Sequence, residues 1–202
     1  MRQEYAISPL LGLFVAVGLL IAGLGQTPLA AQEKPESYTV DNVHSSVLFK
    51  VKHANAAYFF GRFIEVSGDI DYDRSDPAEG SVSLTVQADS VRTWNKKRDD
   101  HLKSPDFLNV KQFPEITFDS VEIEKTGDNK FSVTGDFSLH GKTVERTIDV
   151  RMTGEGKGPE GNPRIGFYTE FDLQRSEFGM TKYMGMIGDT VTLIISIEGV
   201  SK

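Results

Sequence analysis

A chain of 202 residues, 39% hydrophobic, with 19 glycines and 8 prolines, suits one globular domain preceded by a short targeting segment. Its formal net charge of -7 sets nucleic acid aside as a partner, since no strong field draws phosphate to it. Cysteine is absent, which excludes disulfides and a lipid-modified N-terminal cysteine and leaves the fold to be held by its core.

The chain opens with Arg2 and Glu4, then carries no charge from Ala6 to Ala31, and Leu10 to Leu24 is an unbroken apolar or glycine run. Such a run of about fifteen residues falls short of the roughly twenty that span a bilayer, so residues 1–31 read as a cleaved signal peptide, with an uncleaved anchor as the alternative. The expected location is periplasmic or secreted. Residues 32–37, "QEKPES", read as a solvated linker, and the folded domain as 38–202.

From Tyr38 onward the hydrophobic pattern has period two, as in strands apolar on one face. After a short lead-in "YTVD", the first strand is "VLFKV", with Val47, Phe49 and Val51 on one side. "RFIEVSGDIDY" follows with Ile64, Val66, Gly68, Ile70 and Tyr72 in phase, and Arg62 shares that phase. An arginine so aimed needs a carboxylate, carbonyls or an anionic head group, so Arg62 is either a structural ion pair or a ligand contact. "VSLTVQA" alternates Val82, Leu84, Val86 and Ala88 against Ser83, Thr85 and Gln87.

The alternation then breaks at "WNKKRDDHLKSPDFLNVKQFP", residues 94–114. Thr93 or Asn95 can cap a helix through "KKRDDHLK", and Ser104 before Pro105 and Asp106 is a second start, so two short helical turns are expected over about 94–112. Long connections are more often functional than decorative, and this one reads as a lid. Trp94, Leu102, Phe107 and Phe113 are its apolar candidates. Arg98 and His101, beside Lys96 and Lys97, either form a solvated face with Asp99 and Asp100 or meet a ligand's head.

"ITFDSVEI" jumps phase between Phe118 and Val121, which predicts a bulge at Asp119 or Ser120. "FSVTGDFSL" places Phe131, Val133, Gly135, Phe137 and Leu139 on one face. "VERTIDVRM", "IGFYTEFDL" (Ile165, Phe167, Phe171, Leu173) and "VTLIISI" (Val191, Leu193, Ile195, Ile197) complete about eight long strands. Short turn-rich links favour antiparallel neighbours, and no helical stretch is long enough to cover an open sheet. An all-β antiparallel barrel is therefore expected, of a size that side chains can fill or that can hold one elongated ligand.

The inward set, Phe49, Val51, Ile64, Val66, Val86, Phe118, Phe131, Phe137, Phe167, Phe171, Leu193 and Ile195, either fills a core or lines a tunnel. Between the last two strands, "RSEFGMTKYMGMIGD" is either a plain flexible loop or an adaptable entrance built on Phe178, Met180, Met184, Met186 and Tyr183. The four histidines occur singly and no pair has metal-ligand spacing, so no metal site is expected. Asp41, His44 and Ser45 lie within five residues, but turn bonding is the commoner use of such a group. No catalytic residue is assigned.

The pieces "YTVDNVHSSVLFKVKH", "GRF" with "SGDIDYD", "KRDDHLKSPDFLNVKQFPEITF", "VTGDFSLHGKT" and "RSEFGM" together resemble the YceI-like family of exported bacterial proteins, from residue 38 to about 200. This resemblance implies a lipocalin-like barrel whose long apolar interior binds polyisoprenoids, isoprenoid quinones, fatty amides or other long-chain amphiphiles. It implies a binding protein with no cofactor beyond a bound lipid, and it favours the tunnel over the filled core. Transient membrane contact and a homodimer stay open. The rival readings are an enzyme acting on a lipid or its head group, and a filled barrel that binds a protein partner. "VKHANAAYFFGRF", more apolar than the family's usual connection, and Arg146, in phase with Val144 and Ile148, depart from the pattern near the expected mouth.

Overall fold

The computed structural model describes Met1 and residues 36–202, so the predicted signal peptide and most of the predicted linker lie outside the described residues. Eleven strands form one antiparallel sheet: β1 Glu36–Val40, β2 Ser46–His53, β3 Ala57–Phe63, β4 Val66–Tyr72, β5 Ser81–Gln87, β6 Val91–Arg92, β7 Glu115–Gly127, β8 Lys130–Leu139, β9 Lys142–Lys157, β10 Pro163–Gln174 and β11 Ile187–Ser201. Among the described residues one α-helix, α1 Lys96–Leu102, interrupts them. Glu36 and Ser37 pair with Tyr72 and Asp71, so β1 starts two residues inside the predicted linker.

The eleven segments reduce to the eight staves of a closed barrel. β11 pairs near its C-terminus with β1, at Val40↔Gly199, and further back with β2, at Ser46↔Ser196, which makes β1 and β2 one stave broken at residues 41–45. β3 with β4, and β5 with β6, are broken staves in the same way, since β3 and β6 continue the sheet from β2 while β4 and β5 continue it from β1. Pairing of β1 with β11 closes the ring. The predicted barrel of about eight strands is therefore the architecture found.

Side chains take over the backbone's hydrogen bonds at these breaks. Asn42 Oδ1 accepts from Val66 N at 2.7 Å, and the buried Ser90 Oγ accepts from both Ile64 N and Glu65 N at 3.2 Å. The break after Phe63 also inverts the inward phase: β3 turns Phe59, Gly61 and Phe63 to the lumen, while β4 turns Val66 and Ile70 there. Arg62 and Ile64 consequently face outward and are exposed, contrary to the inward placement expected for both. A one-residue slip exchanges the two faces of a strand, and here the alternation seemed unbroken only because Ile64 happens to be apolar. The bulge in β7 falls at Val121, one residue later than expected: register shifts between Ser120 and Glu122, and Val121 is thrown out to solvent.

Antiparallel order gathers the β2–β3 hairpin, the β6–β7 connection, the β8–β9 hairpin and the β10–β11 connection at one end of the barrel. Asn95 caps α1 by accepting from Arg98 N at 3.1 Å. The second expected start forms a hydrogen-bonded turn and not a helix: Ser104 Oγ accepts from Asp106 N at 3.3 Å and Ser104 O from Phe107 N at 3.0 Å, and Leu108 N and Val110 N then bond back to the carbonyls of Leu102 and Lys103, curling the chain onto the end of α1. β9 and β10 pair only from Tyr168 outward and part towards this same end. The 3-10 helix Arg175–Phe178 follows β10 there, and its Phe178 is fully buried with its ring centroid 5.7 Å from that of Phe137. Arg146, the in-phase arginine of β9, pairs with Glu177 and lies 5.9 Å from the Phe178 ring. Both long connections thus cover the end where neighbouring staves separate.

Candidate ligand-binding site

Inside the barrel is a cavity of about 490 Å³, within the roughly 300–1,000 Å³ range of ligand pockets, and a second of about 120 Å³ lies towards the opposite end. Leu84, Phe118, Phe137 and Ile195 line both, so these residues form a waist between the two chambers. Of the predicted tunnel residues, Phe49, Val51, Val66, Val86, Phe118, Phe137, Leu193 and Ile195 line the larger chamber, and Phe131, Phe167 and Phe171 the smaller. Ile64 lines neither.

Two glycines explain why so many aromatic rings leave a lumen open. A Cβ at Gly61 would sit 2.3 Å from Phe49 Cζ, and one at Gly135 would sit 2.7 Å from Phe118 Cζ. The tip of each ring therefore occupies the space that a Cβ would fill on the wall. Phe59 and Phe63 pack beside Phe49, with ring centroids 6.2 and 5.8 Å away. Both line the large chamber and were missed in the sequence, where the flanking Tyr58 and Phe60 mask the alternation of β3.

The predicted lid residues divide into three groups. Leu102 and the buried Phe107 line the large chamber, as does Met180 from the other long connection. Phe113 and Phe178 do not: Phe113 packs on His140, 4.9 Å between ring centroids, and covers Gly141 of the β8–β9 hairpin, while Phe178 stops the gap beside β10. Trp94 is 73% exposed, contrary to the expected packing over the lumen, because its left-handed φ of 58° turns the chain there and Thr93 takes the buried place. Met184 is exposed beside Met186, and with Tyr58, Phe60, Trp94 and Tyr183 these side chains give the covered end an apolar collar.

Arg98 and His101 line the chamber from α1 while remaining exposed. Arg98 donates from Nε to Thr93 Oγ1 at 2.9 Å and from Nη2 to Thr93 O at 2.6 Å, and its guanidinium lies 4.1 Å from the Phe59 ring centroid. These contacts fasten α1 to β3. His101 Nε2 is 3.0 Å from Asp106 Oδ2, a contact that, with Lys182 nearby, holds the Asp106 carboxyl below its ordinary pKa.

Arg175 was passed over in the sequence although it opens the quoted "RSEFGM". It is buried on the chamber wall and donates to the carbonyls of Gly188, Met180 and Ile187 at 2.9, 2.5 and 3.0 Å. Burial pulls its pKa down, and the nearby Asp189 opposes that. Asp189 itself is held below its ordinary pKa by Ser176, whose hydroxyl and N–H donate to its two carboxylate oxygens.

The Asp41, His44 and Ser45 group lies at the break between β1 and β2 and lines neither chamber. His44 Nδ1 is 2.8 Å from Asp41, but Ser45 Oγ accepts from Glu198 N at 3.0 Å and is turned to the sheet. Arg164 pairs with both Asp41 and Glu198, so the one acid–histidine cluster with ligand spacing among the described residues already holds its cation.

The family model of the YceI-like domain matches residues 38–199. A UPF0312 protein of Ectopseudomonas mendocina (strain ymp) is 36% identical over 179 residues, 88% of this chain and 94% of that one. The crystal structure of the Campylobacter jejuni YCEI protein superposes with a TM-score of 0.64 at 31% identity, covering 70% of this chain and 84% of that one. A polyisoprenoid binding domain from Saccharophagus degradans, implicated in plant cell wall breakdown, shares the fold at a TM-score of 0.63 and 15% identity, over 83% of this chain and 99% of that one.

Proposed function

The chain belongs to the YceI-like family, and from that premise we propose that it is an exported carrier that holds a polyisoprenoid, an isoprenoid quinone or another long-chain amphiphile inside its barrel. The observation that carries this reading is the lumen itself: a chamber of about 490 Å³ and, beyond an apolar waist, a second of about 120 Å³, with the rings of Phe49 and Phe118 set against glycines. Apolar walls of this kind gain roughly 25 cal/mol per Å² of chain surface removed from water and ask little of register. The polyisoprenoid binding named for the Saccharophagus degradans domain agrees with it. Export to the periplasm is supported by the uncharged run before Gln32. The protein acts by binding, needs no cofactor, and exchanges its cargo where the collar of Tyr58, Phe60, Trp94 and Met184 touches a bilayer surface.

A thermal-shift series with isoprenoid quinones of increasing chain length tests the reading. The melting temperature should rise with each added isoprene unit until both chambers are filled and then level off. No shift at any length would sink the carrier reading.

A further inference from the structure

The walls of the large chamber carry two arginines and two histidines, Arg98, Arg175, His53 and His101, and no aspartate or glutamate among the described residues. This selection is made in a chain with 29 acidic residues against 22 basic ones. Arg98, His53 and His101 stand at the exposed mouth, whereas Arg175 is 3% exposed and sits inside it. A guanidinium has five N–H donors, and the three hydrogen bonds of Arg175 all go to backbone carbonyls. The neighbouring Asp189 spends both oxygens on Ser176, so the charge of Arg175 has no directly bonded carboxylate. A buried charge left in that state is costly, and the cost falls when an anion reaches it.

We propose that the carrier selects amphiphiles with an acidic, oxygen-rich head, carboxylate or phosphate, which seats against Arg175 while the chain runs through the waist towards Phe131 and Phe167. This rests on the carrier reading and adds the head group to it. Beyond the three carbonyl bonds two N–H groups of the guanidinium remain to meet either kind of oxyanion, and the apolar walls of the chamber strengthen the contact. The carbonyl bonds to Met180, Ile187 and Gly188 keep the side chain fixed before any ligand arrives.

The test compares ligands that share a chain and differ in the head, hexadecanoate with hexadecanol and farnesyl phosphate with farnesol, by calorimetry on the full chain at neutral pH. At least one acid should bind about tenfold or more tightly than its alcohol, as a charge-assisted hydrogen bond warrants, and whichever acid does so identifies the head. The preference should persist in about 0.5 M salt, which screens the exposed Arg98 but not a buried guanidinium. Arg175→Gln should abolish the preference while alcohol binding survives, and Arg175→Lys should restore part of it. Equal binding of acid and alcohol, loss of the preference in salt, or its retention in Arg175→Gln would each overturn the proposal. If Arg175→Gln does not fold, the wild-type comparison and its salt dependence still decide. Failure of all four ligands to bind would instead defeat the carrier reading itself.

Discussion

Val86 distinguishes an open lumen from a filled core. It is buried on β5, paired with Val66 on one side and Ile116 on the other, and it faces the chamber of about 490 Å³. Val86→Phe places a whole ring where two methyl groups stood. In a close-packed core that change forces strained rotamers and costs about 1–3 kcal/mol. In the lumen the ring enters free space, and each added carbon that leaves water contributes up to roughly 0.8 kcal/mol. The expected outcome is a urea midpoint equal to or above that of the wild type, at unchanged slope, together with weaker binding of a long-chain ligand by about tenfold or more. A stability loss of about 1–3 kcal/mol with ligand binding unchanged would refute the reasoning, because it would mean that this position is already packed.

Gly61→Ala puts a methyl group into the Phe49 ring and drives that ring into the lumen. Displacement of a lipophilic dye should show long-chain affinity falling about tenfold, and unchanged affinity would contradict the wall-laid ring. Arg98→Ala removes the bonds to Thr93 and the stacking on Phe59; for so exposed a side chain the stability loss should be about 1 kcal/mol, with faster ligand release and unchanged saturating stoichiometry. A drop in stoichiometry at unchanged stability would instead make Arg98 a head-group contact. The Asp41 carboxyl is held well below its ordinary pKa, first by the hydrogen bond from His44 and then by that from Arg164. A depressed folded pKa contributes stability above the unfolded value of about 3.9, and that contribution is lost as pH falls through the lower folded value. Asp41→Asn should therefore be less stable than the wild type at neutral pH and show a shallower decline below about pH 4 in chemical melts. Parallel declines would contradict it.

The strands most legible in the sequence are those whose ladders run without a break. β8 alternates strictly, and all five residues of its apolar face are buried. The staves that break were harder to read, since Asn42 and Ser90 replace ladder partners with side-chain oxygens and no periodicity reports that. Ile64 and Arg62 were misplaced in this way, whereas Phe59 and Phe63 were masked by the aromatic Tyr58 and Phe60 beside them. Within the connection to β7, the Asn95 cap was visible as a residue type at a fixed offset from its helix. The outward turn of Trp94 depends on a left-handed φ that nothing in its side chain advertises. Arg175 was hidden for another reason: its role needs three carbonyls from residues 180, 187 and 188, which only the folded connection brings together.

The central claim is that the lumen is occupied by one long-chain amphiphile. Organic extraction and mass spectrometry of the full chain, purified without detergent, test it most directly. The account predicts one amphiphile per barrel, with a chain long enough to pass the waist at Phe118 and Phe137. Protein that yields no stoichiometric lipid, and that gains no thermal stability from added quinones or fatty amides, would contradict it.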